Sequence, residues 1–370
     1  MNKKRFEVLD AFRGICALCV VVFHMRFMGS FTELTFFRNS EYFVEFFFIL
    51  SGFVLSHGYS SKSNLTFFSF MRTRFFRLYP LHIFMLLVFL IIECGKFLAF
   101  RYGGFSFTNY PFTGAASPYE LVPNILLIQS WAPSFDHLSF NFPSWSISVE
   151  FYVYAIFFLT ISIFRRVRLV SWLSLIILSL YMLIDSCAFI TAQALKGIFC
   201  FFLGAVIYKL YLYFDGEINF GYIFSTVIEF LLLCISIFVV AIEFNSKALF
   251  VPFLFSLVVF FYSLELGYFS SLLKWSGFQW LGKLSYSIYM THAAMLFIII
   301  SMAIVLQKLL GHPIAPMVDA IRFIDFGAPY INNLLVLGVL ISVILISSFT
   351  YRYIEVKGIN LGYGKSKRNV

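Results

Sequence analysis

His24, Glu45 and Glu150 are the residues of this chain best suited to chemistry, because each ionisable group sits inside strongly apolar sequence. An ionised side chain at mid-membrane costs about 2.5–3.5 kcal/mol on insertion scales, so each such group marks a polar site. At ~1.5 Å per helical residue, counted from the ends of their apolar stretches, the three fall within about one helical turn of a common level. An imidazole at that depth can take a proton from a hydroxyl while a carboxylate orients the ring and stabilises the imidazolium. Glu45 is the favoured partner because the next apolar stretch carries it, and Glu150 is the alternative. Arg13 precedes His24 by eleven residues, close to three helical turns, so both share one face with ~16 Å between them.

A second cluster is basic. Met71-Arg-Thr-Arg-Phe-Phe-Arg-Leu-Tyr-Pro80 places Arg74 and Arg77 at i and i+3, on one face of a helical turn. Two guanidiniums so placed can grip a phosphate in bidentate fashion, although loop charge and lipid headgroups also account for such runs. Trp145 and Ser148 flank Glu150 and are assigned to an acceptor path. His57 reads as interfacial, His82 as a packing residue and Asp136–His137 as loop surface, while Tyr286 and His292 lie at mid-depth as weaker site residues. Six cysteines lie in or beside apolar segments, and Cys16-x-x-Cys19 has no second pair, so packing explains them. No cluster has metal-ligand spacing and no glycine loop suits a phosphate, so neither a metal nor a nucleotide loop is expected.

The elements that position these residues are helices in a membrane. The 370-residue chain is 61% hydrophobic and only 12% charged, about half the charge of a soluble domain. Its apolar stretches are continuous rather than alternating, which favours helices over a barrel. Ten spans are expected near 8–29, 42–60, 78–98, 144–164, 169–186, 195–213, 221–242, 248–266, 284–307 and 333–354. Between them lie two Pro-rich ordered loops, 99–143 and 308–332. Eighteen basic residues fall on one side, from Lys3, Lys62 and Arg165 to Lys365, Lys367 and Arg368, against seven on the other. The positive-inside rule then places both termini in the cytoplasm and the long loops outside. This placement makes the net charge of +9 a matter of topology, not of nucleic-acid binding. The N-terminal apolar run lacks a small-residue cleavage site and reads as a retained span. The expected fold is an all-α polytopic bundle forming one domain over 1–370, with a short basic cytoplasmic tail and no appended soluble domain.

Five blocks, taken together, resemble the integral-membrane acyltransferase-3 family of polysaccharide O-acyltransferases. They are Leu9-Asp-Ala-Phe-Arg-Gly-Ile-Cys-Ala-Leu18 with His24; Val44-Glu-Phe-Phe-Phe-Ile-Leu-Ser-Gly-Phe53; Arg74-Phe-Phe-Arg77-Leu-Tyr-Pro80; Pro143-Ser-Trp-Ser-Ile-Ser-Val-Glu150-Phe-Tyr152; and Leu281-Gly-Lys-Leu-Ser-Tyr-Ser-Ile-Tyr-Met-Thr-His292. The sequence departs from the pattern at Phe151, where a second acid is frequent. The resemblance implies transfer of an acyl group, in the simplest case acetyl from acetyl-CoA, to a hydroxyl of a surface polysaccharide such as lipopolysaccharide, or of a lipid-linked glycan. It implies a bacterial inner membrane, His24 and Glu45 as catalytic groups, and Arg13, Arg74 and Arg77 holding the phosphates of acyl-CoA. Glu150, Trp145 and Ser148 would meet the acceptor. The rival class is a multi-pass transporter or flippase, which also buries charges; such folds commonly show internal repeats, and none is evident here.

Overall fold

A computed structural model describes residues 4–59, 65–104, 107, 109–185, 188–214, 221–319 and 321–363. Lys3, Lys62, Cys187, Lys365, Lys367 and Arg368 therefore lie outside the described residues. The chain is helical along most of its length. In order, the helices are α1 (Glu7–His24), α2 (Thr35–Arg38), α3 (Phe43–Tyr59), α4 (Phe67–Tyr102), α5 (Leu121–Leu126), α6 (Ser144–Ser162) and α7 (Arg168–Ile184). They continue as α8 (Ala192–Phe214), α9 (Tyr222–Ala241), α10 (Lys247–Leu264), α11 (Tyr268–Leu273), α12 (Ser276–Leu310), α13 (Pro329–Thr350) and α14 (Val356–Tyr363).

Among the described residues, eight stretches are long and apolar enough to cross a membrane: α3 with the turn before it, α4, α6, α8, α9, α10, α12 and the run Pro329–Tyr363. The protein is thus a multi-pass helical membrane protein. The remaining two expected spans correspond to α1, which carries Glu7, Asp10 and Arg13, and to α7, which has 17 residues. Charge is tolerable on α1 because protein surrounds it: α3, α10, α11 and α12 all pack on it, and Leu9, Ala11, Ala17 and Val20–Val22 are buried.

The chain forms two compact units, Met1–Tyr59 with Leu203–Ser348, and Ser60–Phe202 with Phe349–Val370. In the first unit α1 and α12 make the most extensive helix pair. A Cβ on Gly14 would lie 2.7 Å from the backbone nitrogen of Gly282, and one on Gly282 would lie 2.2 Å from the carbonyl oxygen of Asp10. Without hydrophobic drive between helices in lipid, such small residues let two backbones approach and gain dispersion contact. Beyond α1 the chain meets the 311–333 segment, a short antiparallel pairing of Met317–Val318 with Ile321–Arg322. Ile324 donates to Arg26 O (2.8 Å) and receives Met28 N–H (3.0 Å), while Asn332 donates to Met28 O (2.7 Å). This Pro-rich segment therefore folds over the end of α1.

In the second unit the apolar span expected from residue 78 begins eleven residues earlier. Helix α4 runs unbroken through Arg72, Arg74, Arg77 and Pro80, capped by the Thr66 hydroxyl accepting from Ser69 N. Pro80 removes one helical donor, and α14 packs against this turn: a Cβ on Gly358 would lie 2.7 Å from Pro80 Cγ and from Phe76 O. The 109–143 segment returns along α4, with Phe112 N bonded to Glu93 (3.2 Å) and His82 Nε2 donating to Asn124 O (2.9 Å). Those anchors are eleven residues apart, so the segment descends ~16 Å beside the helix. Irregular backbone survives at such depth only inside protein, and here Asn124, Gln129, Ser130 and Ser139 are fully buried.

Candidate active site

His24 is the last residue of α1, in a helix whose end is held from two directions. Arg38 Nη2 donates to Met25 O (2.6 Å) and Val22 O (3.3 Å), and Arg26 Nη1 donates to Phe23 O (2.7 Å). Cations at a C-terminal turn satisfy the open carbonyls and complement the helix dipole. Arg38 is one of the seven basic residues on the less basic side of the sequence, and its closeness along the chain to the end of an apolar run is the signal that marks it.

The His24 ring is held by its Nδ1, 2.9 Å from Val20 O and 3.3 Å from Nε2 of His292. The two ring centroids are 5.1 Å apart. His292 is fully buried on α12, with the ring of Tyr289 5.9 Å away, and Tyr289 in turn meets Phe47 of α3 at 6.0 Å. Glu45 is buried in the first turn of α3, a helix that packs on α1. Arg13 is half-buried on the same helix as His24. The His57 ring lies 5.0 Å from that of Phe6 and 5.5 Å from that of Tyr208.

The second unit carries the basic pair. Arg74 stacks over Tyr154 of α6, with its guanidinium carbon 5.9 Å from the ring centre, and Arg77 is within electrostatic reach of the same phenol. Tyr154 O–H donates a short hydrogen bond to Glu150. Arginine, phenol and carboxylate thus form a relay across α4 and α6 that braces the guanidinium. Tyr154 was not singled out in the sequence, although its i+4 position relative to Glu150 places both on one helix face. Ser148 is fully buried, and its hydroxyl donates to Leu127 O (2.6 Å) and accepts from Ser130 N (3.3 Å). Trp131 Nε1 donates to Ser148 O (3.0 Å), so this serine pegs the descending segment onto α6. Trp145 is half-buried one turn before it.

His82 holds the descending segment through Asn124. His137 accepts a hydrogen bond at Nε2 from the Gln193 amide (3.0 Å), and partial burial lowers its pKa, opposed by the neighbouring Asp136 carboxylate. Among the described residues no group of three His, Cys, Asp or Glu side chains is arranged to hold a metal ion. Cys16, Cys19, Cys94, Cys200 and Cys234 are free thiols.

The first unit thus buries a pair of imidazoles where α1 meets α12, and the second holds Arg74 over the ring of Tyr154. The chain belongs to the acyltransferase-3 family, whose acyltransferase domain it matches over residues 6–352. It is 39% identical over 125 residues to Acyltransferase MdmB of Streptomyces mycarofaciens, covering 34% of this chain and 29% of that one. It is 40% identical over 84 residues to Protein 2 in picA locus of Rhizobium radiobacter, covering 22% of this chain and 41% of that one. The matched stretches thus span less than half of either relative. No solved structure matches the chain. The chain is thus a multi-pass helical membrane protein of this family.

Proposed function

We propose that the protein moves an acyl group, acetyl in the simplest case, from cytoplasmic acyl-CoA to a hydroxyl of a surface polysaccharide or lipid-linked glycan. It does so as one acyltransferase domain of ten spans with both termini in the cytoplasm of a bacterium, in the inner membrane. The observation that carries this reading is His24 itself: an imidazole at the capped end of a buried helix, anchored through Nδ1, in a chain of this family.

In this reading Arg74 and Arg77, with Arg13, hold donor phosphates, for which a guanidinium fork is suited in shape and charge. His24 Nε2 takes the proton of the acceptor hydroxyl as its oxygen attacks the thioester carbon. The carbon–sulfur bond breaks on collapse, and the proton passes from His24 to the departing thiolate. Glu45 supplies the negative charge that stabilises the imidazolium, and Glu150, Trp145 and Ser148 shape the acceptor path. A positioned general base contributes ~10²–10⁴-fold to such a step.

The test pairs chemistry with product. The purified protein in nanodiscs is given radiolabelled acetyl-CoA and the cell's own surface polysaccharide, and the glycan is analysed by mass spectrometry for an added acetyl group. His24→Gln should abolish transfer while membrane insertion and amount are unchanged. Transfer by that variant at close to the wild-type rate would remove His24 from the chemistry.

A further inference from the structure

What His24 can do depends on which ring nitrogen carries its proton, since a neutral imidazole has one donor and one acceptor. A carbonyl oxygen only accepts. Nδ1 of His24 faces Val20 O at 2.9 Å, so the proton is on Nδ1 and the basic lone pair is on Nε2. His292 obeys the same logic: its Nδ1 faces Ile288 O at 3.3 Å and carries the proton, so its Nε2 is an acceptor. That Nε2 lies 3.3 Å from His24 Nδ1. One N–H is therefore shared between two acceptors, a backbone carbonyl and a second imidazole.

We propose that His292 is a positioning residue for acyl transfer, whose Nε2 accepts the Nδ1–H of His24 and locks it in the tautomer with a basic Nε2. The inference rests on reading His24 as the base. A carbonyl one turn away favours this tautomer only while the ring faces it, and leaves the ring able to swing about its own bond and exchange tautomers. A second acceptor on another helix pins the plane of the ring as well. As Nε2 takes the acceptor's proton, positive charge spreads to Nδ1, where both acceptors hold the N–H. Being neutral, His292 adds no counter-charge, which leaves that part to Glu45.

The pairing is built into the helices. Gly14 and Gly282, which touch where α1 and α12 approach most closely, each precede their histidine by ten residues. Ten residues carry both helices the same ~15 Å from that contact, so the crossing and the histidine pair share one register. A fully buried histidine on an apolar helix is costly without partners, and His24 is one of those that His292 has. Interhelical histidine bonds also serve as plain adhesion, so the test must read the ring and not stability alone.

The full-length protein, labelled with ¹⁵N-histidine and reconstituted in lipid nanodiscs, reports protonated and bare nitrogens by their ¹⁵N shifts, with His24 assigned by its loss in His24→Gln. Two variants are compared with wild type. His292→Gln keeps an amide group reaching to where Nε2 lay; His292→Asn is too short to reach. Expected are a protonated Nδ1 on His24 in wild type and His292→Gln, and mixed tautomers in His292→Asn. With them, His292→Asn should lose kcat about tenfold or more at unchanged KM for acyl-CoA, while His292→Gln keeps most of it. Unaltered His24 shifts in His292→Asn, or equal kcat in the two variants, would overturn the proposal. Failure of the base reading has a different sign: His24→Gln would stay active even with the tautomer controlled by His292.

Discussion

His24 and His292 stand in the same helical register as Gly14 and Gly282, so the close crossing of α1 and α12 sets the distance between the two imidazoles. Substituting Gly282 by Ala should therefore do two things at once. Its Cβ would fall 2.2 Å from Asp10 O, a backbone atom that cannot turn away, and overpacking of this kind costs ~1–3 kcal/mol. Thermal unfolding in detergent should drop and acyl transfer should fall with it. Gly338→Ala, where a Cβ meets nothing within 4 Å, is the control and should be close to neutral. Equal melting of the two variants would contradict the crossing.

Arg74→Gln and Arg77→Gln should each raise the KM for acyl-CoA by about tenfold, equivalent to ~1.4 kcal/mol, with kcat and acceptor use changing less. Lysine should rescue poorly, because a point charge does not reproduce the planar fork. Initial rates over a range of donor concentration decide it, and an unaltered KM would remove both residues from the donor site.

Tyr154 lies under Arg74 and donates to Glu150. Tyr154→Phe keeps the ring and loses the hydrogen bond, while Tyr154→Leu loses both. Exposed cation–π contacts are worth ~0.5–1 kcal/mol and desolvated ones more. Donor KM should thus rise in the order wild type, Phe, Leu. A variant Leu with wild-type donor kinetics would show that the stacking does not brace Arg74.

His137 gives a pH dependence with a definite sign. Partial burial lowers its pKa, with Asp136 opposing, and its Nε2 accepts from Gln193. The unfolded chain takes up the proton first, so the contribution is complete above the usual histidine value of about 6.5. It is lost as pH falls below that value and through the lowered one. Hydrogen-exchange protection over residues 127–141, corrected for the intrinsic pH dependence of amide exchange, should fall on acidification in the wild type, and His137→Gln should flatten the response. Greater protection at low pH would reverse the assignment.

The all-helical membrane class was legible because runs of about twenty apolar residues have few other fates. His24, Glu45, Arg74, Arg77 and Glu150 all lie on helices and are buried or half-buried, which their apolar surroundings already suggested. Less was visible where a segment leaves that periodicity. The charge count places the 99–143 loop outside, and nothing in its sequence shows that Ser148 and His82 hold its residues Leu127, Ser130 and Asn124 inside the second unit. Helix α4 starts well before its apolar stretch because α14, with Gly358 against Pro80, packs on the arginine-bearing turns.

By itself the sequence determined where the long apolar helices run, which family they belong to and which side chains are too costly to bury without purpose. Those are local matters of hydropathy and period. Only the tertiary structure decided that His24 Nδ1 meets His292, that Arg74 rests on Tyr154, and that Ser148 serves the backbone of a neighbouring segment. Contacts between helices far apart in the chain depend on where backbones approach most closely. Two glycines set that approach for α1 and α12, and neither one, read alone along its own helix, names its partner.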